Sequence, residues 1–132
     1  MDGLREKLRG HLLRLALISG LSVAGGLLGT LLIQDPMLKS FAFMNAAWGV
    51  VNLIICAGSW NSKKPLELRP FREFLIFNVG LNLGWIMLGL PMAFLGKPET
   101  AGSGWGIALQ GLILFVLDVW LLRLMPVNES GA

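Results

Sequence analysis

Four stretches of this chain are long enough to cross a bilayer and nearly free of charge. Leu15–Ile33, Phe41–Trp60 and Phe74–Gly96 contain no Asp, Glu, Lys, Arg or His, and Ile107–Leu122 contains one, Asp118. A helix rising about 1.5 Å per residue needs about 20 apolar residues to traverse about 30 Å of hydrocarbon, so each stretch predicts a transmembrane helix. Strands of a membrane barrel would alternate polar and apolar positions over about ten residues, whereas these runs are continuous in Leu, Ile, Gly and Ala. Only 14% of the 132 residues are charged, against about a quarter in soluble domains, which is too few to coat a water-soluble globule. The expected fold is all-α, an integral membrane four-helix antiparallel bundle running up-down-up-down. It forms a single transmembrane domain over 1–132, with spans at about 12–33, 38–60, 71–95 and 102–125.

The basic residues give the orientation. Arg5, Lys7, Arg9 and Arg14 precede the first span, Lys63, Lys64, Arg69 and Arg72 lie between the second and third, and Arg123 closes the fourth. Only Lys39 and Lys97 of the 11 basic residues fall at the other ends. The positive-inside rule then predicts cytoplasmic termini and a cytoplasmic middle loop in a cell (inner) membrane. The net charge of +3 reflects this topology, because the basic residues flank spans instead of forming a separate face; nucleic acid is not expected as a partner. The first apolar run is longer than a signal-peptide core and no small-x-small site precedes Gln34-Asp35-Pro36, so it is expected to be retained. Leu4, Leu8 and Leu12 recur at helical spacing, which starts the first helix near Gly3 at the interface.

Short connections join the spans. Asp35-Pro36 supplies an N-cap followed by proline at the first helical position, predicting a tight hairpin between helices one and two. Pro91, late in the third span, is expected to kink or end regular helix. The glycines read as packing surfaces. Gly25-x-x-x-Gly29, Gly80-x-x-x-Gly84, and Gly104 with Ala108 and Gly111, together with Ala42, Ala46 and Gly49, predict close backbone approach between helices, with any surplus face left for a dimer.

Polar residues inside the spans are the candidate site. Asn45, Trp48 and Asn52 share one face of helix two, and Asn78, Asn82 and Trp85 share one face of helix three. Counted from the basic end, Ser19, Asn52, Asn78 and Asp118 fall roughly 9–12 Å deep, Ser22 and Asn82 roughly 15 Å, and Asn45 and Gln110 roughly 20 Å. These residues either fix helix register through interhelical hydrogen bonds or line a site for a polar head, an ion or water. Asp118 needs partners if buried; Asn78, Arg14 and Arg72 are the expected ones, and a proton or cation site is the alternative. Trp60, Trp120 and Trp105 fit interfacial belts. Trp48 and Trp85 sit mid-span, where an indole either packs or walls a ligand cavity.

Several chemistries lack their residues. The single cysteine, Cys56, and the single histidine, His11, which is expected near the surface, leave no paired-cysteine, two-histidine haem or zinc arrangement. No lysine lies within a span, and no P-loop, dinucleotide fingerprint or Ser-His-Asp pattern is present. Enzyme activity and cofactors are not expected.

Phe77-Asn78-x-Gly80-Leu81-Asn82-x-x-Trp85, Gly104-x-Gly106, Gln110-Gly111-x-x-Leu114-x-x-x-Asp118 and Met44-Asn45-x-x-Trp48-x-x-x-Asn52 together resemble an uncharacterised family of small bacterial four-helix membrane proteins. In that pattern the position of Asn82 usually carries aspartate and that of Trp85 often another aromatic. The resemblance therefore implies that this chain has lost one carboxylate of a possible pair with Asp118, which weakens a proton-relay reading. It supports the site and supplies no activity. Two functional classes follow. One is a non-enzymatic binding or accessory subunit whose Asn45, Trp48, Asn52, Asn78, Asn82, Trp85, Gln110 and Asp118 hold a lipid or other amphipathic small molecule. The other is a small transporter or channel working as an oligomer. Membrane lipids and a homo-oligomer or larger membrane complex are the expected partners.

Overall fold

A computed structural model describes residues 2–126. Four helices, α1 (Asp2–Leu32), α2 (Pro36–Asn61), α3 (Leu68–Leu95) and α4 (Pro98–Leu124), form an antiparallel up-down-up-down bundle, with no strand among the described residues. All four are long and apolar enough to cross a membrane. The α1–α2 and α3–α4 connections lie at one end, here the hairpin end, and the α2–α3 loop lies at the other, the basic end.

Local chemistry sets the boundaries. The Asp35 carboxylate accepts the Leu38 N–H at 3.0 Å and Pro36 occupies the first turn of α2, satisfying one orphan donor where the missing proline N–H costs nothing. Pro98 opens α4 in the same way, with Glu99 in the first turn against the positive end of the helix dipole. Of the two outcomes expected at Pro91, a kink or an end, the end does not occur: α3 continues to Leu95. Pro91 sits so near the terminus that little helix follows the bond it removes.

Packing differs along the bundle axis. α1 packs along α2, α3 along α4, and α2 along α4; α3 has no extensive seam with α1 or α2. At the hairpin half these seams are built on small residues. Gly26 and Gly29 lie against Ala42 and Ala46, and a methyl group at Gly89 would stand 2.5 Å from the Gly104 carbonyl oxygen. Gly102 meets the Met37 backbone and Gly106 the Met44 side chain. Two expected glycine pairs are corrected. Gly25 faces open space, so its place in the α1 seam belongs to Gly26, and neither Gly80 nor Gly84 has a neighbour within 4 Å. One residue is about 100° of helix, enough to turn Gly25 outward. Toward the basic end the seams are filled by larger groups: Leu4, Leu68, Leu75, Leu121 and Met125 form one cluster, and Leu12, Leu15, Cys56 and Leu117 another.

Candidate functional site

The missing α2–α3 seam leaves a cavity of about 1040 Å³ at the basic half. On α2 it is lined by Trp48, Asn52, Ile55 and Ser59, which recur at helical spacing and so share a face. Asn78, Asn82 and Trp85 face it from α3, His11 from α1 and Asp118 from α4, while Arg5, Lys64 and Glu67 stand at its mouth. Apart from Ser62 the rest of the wall is apolar, with Leu8, Phe74, Leu81 and Leu114 among it. The mouth is held by Arg5, which donates from Nη2 to the Lys64 carbonyl at 2.7 Å and from Nη1 to the Ser62 carbonyl at 3.5 Å. This ties the α2–α3 loop to α1.

Asp118 is the polar floor of the cavity. Asn82 donates from Nδ2 to Asp118 Oδ2 at 2.8 Å, and His11 Nε2 approaches Oδ1 at 3.4 Å. The expected partners were different. Asn82 takes the role assigned to Asn78, since both lie on the same face one turn apart. Arg14 stacks over the Trp120 ring at 4.2 Å, and Arg72 Nη1 is buried without a hydrogen-bond partner. His11 lies in the basic half and is turned inward: only 5% of it is exposed, and its Nδ1 is buried without a partner. The signal was available, because His11 falls between Leu8 and Leu15 on the stripe that also carries Leu4 and Leu12, all at helical spacing. Asp118 and His11 make only a pair; among the described residues no cluster of three His, Cys, Asp or Glu stands ready for a metal.

Asn45 and Gln110 form a separate cluster nearer the hairpin end. Gln110, 1% exposed, donates to Asn45 Oδ1 at 2.7 Å and to Ser22 Oγ at 3.3 Å, and Asn45 Nδ2 donates to the Phe41 carbonyl at 2.8 Å. Ser22 therefore joins this network and not the Asn82 layer to which its depth assigned it. Ser19, in the expected Asp118 layer, is almost fully buried with its hydroxyl unpartnered. Neither Asn45 nor Gln110 lines the cavity. Between the two polar clusters Trp48 and Trp85 meet edge to face, their ring centroids 5.1 Å apart and the planes at 74°, a favoured geometry for aromatic pairs.

The remaining tryptophans sit toward the ends. Trp60 lies under Arg9 at 5.1 Å, Trp120 under Arg14, and Trp105 edge-on to Phe94 at 5.2 Å. A second pocket, about 510 Å³ and lined by apolar groups including Met37, Phe41, Leu90 and Trp105, opens near the hairpin end. It offers no polar side chain.

The chain belongs to a family of unknown function, DUF6992, whose pattern matches residues 14–119. No curated protein and no solved structure matches it. The matched region contains every cavity residue on α2, α3 and α4, and leaves out Arg5 and His11 on α1.

Proposed function

We propose that this member of DUF6992 is a non-enzymatic binding or accessory protein that holds a lipid or other amphipathic small molecule in the cavity between α2 and α3. The observation that carries the reading is the cavity itself. It has the volume of a small-molecule pocket, a mainly apolar wall, and a few polar groups inside it, Asn52, Asn78, Asn82 and Asp118, the usual make-up of a ligand site. Membrane asparagines used for register alone form closed interhelical pairs, as Gln110 and Asn45 do. Asn52 and Asn78 instead border open space. Conduction by an oligomer has less support, because the outward end of the cavity meets the Trp48–Trp85 pair and, beyond it, the Gln110 network.

In this reading the basic end, with nine of the 11 basic residues, faces the cytoplasm of a bacterial inner membrane, and the cavity mouth opens there. The protein works as a homo-oligomer or as part of a larger membrane complex, with neither a catalytic step nor a cofactor. The test is native mass spectrometry of the purified chain beside Asn78→Trp, which fills the cavity from a half-buried position. The wild type should carry an adduct that the variant loses while both melt at similar temperatures. A ligand-free wild type, or the same adduct on both, overturns the reading. In a Cys56→Ala background, cysteine at position 100 and not at position 62 should label from outside intact cells.

A further inference from the structure

We propose that the cavity selects a lipophilic cation: its ligand carries an ammonium- or phosphonium-class positive charge, seated between Asp118 and the Trp48–Trp85 pair. This rests on the cavity reading and adds the charge of the head. Three observations converge on it.

First, Asp118 faces the cavity with no lysine or arginine within ion-pair distance among the described residues. Its oxygens receive the Asn82 amide, which is neutral, and His11 Nε2 at 3.4 Å. No arginine reaches ion-pair distance of Asp118: Arg5 is bonded to the Ser62 and Lys64 carbonyls and Arg14 stacks on the Trp120 ring, while Arg14 and Arg72 each keep buried guanidinium nitrogens without a hydrogen-bond partner. A carboxylate within a bilayer-spanning bundle is costly unless a cation compensates it.

Second, the surroundings suit a cation. Trp48 and Trp85 stand about one helical turn from Asn52 and Asn82, and indole faces attract ammonium-type charge more strongly where water is excluded. The amide oxygens of Asn52 and Asn78 add neutral acceptors on the cavity wall. Third, the space between α2 and α3 is walled by Ile55, Phe74 and Leu81, so an apolar body attached to the charge has somewhere to lie and a sideways route from lipid.

Tetraphenylphosphonium and tetraphenylborate share shape and differ in the sign of their charge, which makes them the probes. Each is titrated by equilibrium dialysis against the full chain in phosphatidylcholine nanodiscs, with empty discs subtracted. Tetraphenylphosphonium should bind saturably and about tenfold more tightly than tetraphenylborate, and Asp118→Asn should weaken it by about tenfold, the scale of one desolvated cation contact. Asn78→Lys, which brings a competing positive charge to the wall of the cavity that Asp118 faces, should abolish phosphonium binding while the melting temperature holds; it serves if Asp118→Asn does not fold. Borate binding as tight as phosphonium, or phosphonium binding indifferent to both variants, overturns the inference. Saturable binding of neither ion also overturns it, and the adduct comparison with Asn78→Trp then decides separately whether the cavity holds a neutral amphiphile.

Discussion

At the hairpin half of the bundle Gln110 is enclosed by Asn45 and Ser22, and glycine and alanine bring the helix backbones together around it; at the basic half Asp118 looks into a cavity, and the helices are held by leucines. Both halves contain a buried hydrogen-bonded amide, Gln110 in one and Asn82 in the other, within 5% exposure. Polarity therefore does not distinguish them. The size of the side chains in the seams does. Gly26, Gly29, Gly89, Gly102 and Gly104 each bring backbone or Cβ atoms of a neighbouring helix within reach, so the seams close there and the space left is the apolar pocket of about 510 Å³, half the volume of the cavity at the basic end. Leu12, Leu15, Leu75, Leu117 and Leu121 hold the helices apart at the other end, and α3, which packs mainly on α4, leaves its inner face uncovered by α2. In lipid, where helices associate through packing and not through exclusion of water, the distribution of small residues along each span decides where a bundle is solid and where it is hollow.

The strongest way to break this contrast is to enlarge a seam glycine at the solid end. Gly102→Leu drives a side chain into the Met37 backbone, where no flexible group can yield. It is expected to cost about 3 kcal/mol, the upper part of the usual range for overpacking, read as the unfolding free energy in mixed micelles. Gly84→Ala on the open face of α3 is the control. With no atom within 4 Å of an added methyl, it should hold or slightly raise stability, because alanine is the better helix former. Equal losses from the two changes would mean that the seams do not hold the bundle as described.

A smaller effect is expected at the closed network. Gln110→Leu removes both of the glutamine's hydrogen bonds and strands Asn45 Oδ1 in a buried site, so a loss of about 1–2 kcal/mol follows from the unsatisfied acceptor. Ligand adducts should be unchanged, since Gln110 does not line the cavity. An altered adduct profile with unchanged stability would reverse the roles assigned to the two halves.

Fold class and the order of four helices were legible from the sequence because charge-free runs and their ends are one-dimensional signals. The Asp35-Pro36 cap was legible for the same reason. The inward direction of Asn45, Asn52 and Asn82 followed from helical spacing, and that of Gln110 and Asp118 from the cost of polar groups facing lipid. What spacing does not fix is the partner across the bundle: Asn78 and Asn82 lie on one face a turn apart, and only the axial offset of α3 against α4 decides which of them meets Asp118. The choice between Gly25 and Gly26 depends in the same way on a single step of rotation. What the reading of His11 lacked was its direction: its periodicity with Leu4, Leu8 and Leu15 turns it inward, where it becomes the second partner of the carboxylate.

The smallest stability effect, and the sharpest test of the contrast, belongs to Asn82→Leu. Asn82 is as buried as many core residues, and its one side-chain hydrogen bond, 2.8 Å to Asp118, resembles those of Gln110. A residue serving the solid half in this way would be missed on removal. At the hollow half the loss is cushioned, because Asp118 keeps His11 beside it and borders a cavity that offers room for water or a ligand's own donor. The expected change is about 0.6 kcal/mol or less, the average for an interhelical hydrogen bond in lipid, and the leucine's added apolar contact against Gly111 and Trp85 offsets part of it. Ligand retention should change more than stability does, since the carboxylate loses the amide that orients it and the wall loses a polar group. Thermal melts and native mass spectra of wild type and Asn82→Leu in one detergent give both readings together. A melt lowered as far as that of Gln110→Leu, with the adducts intact, would make Asn82 a packing residue and extend the solid half of the bundle down to Asp118.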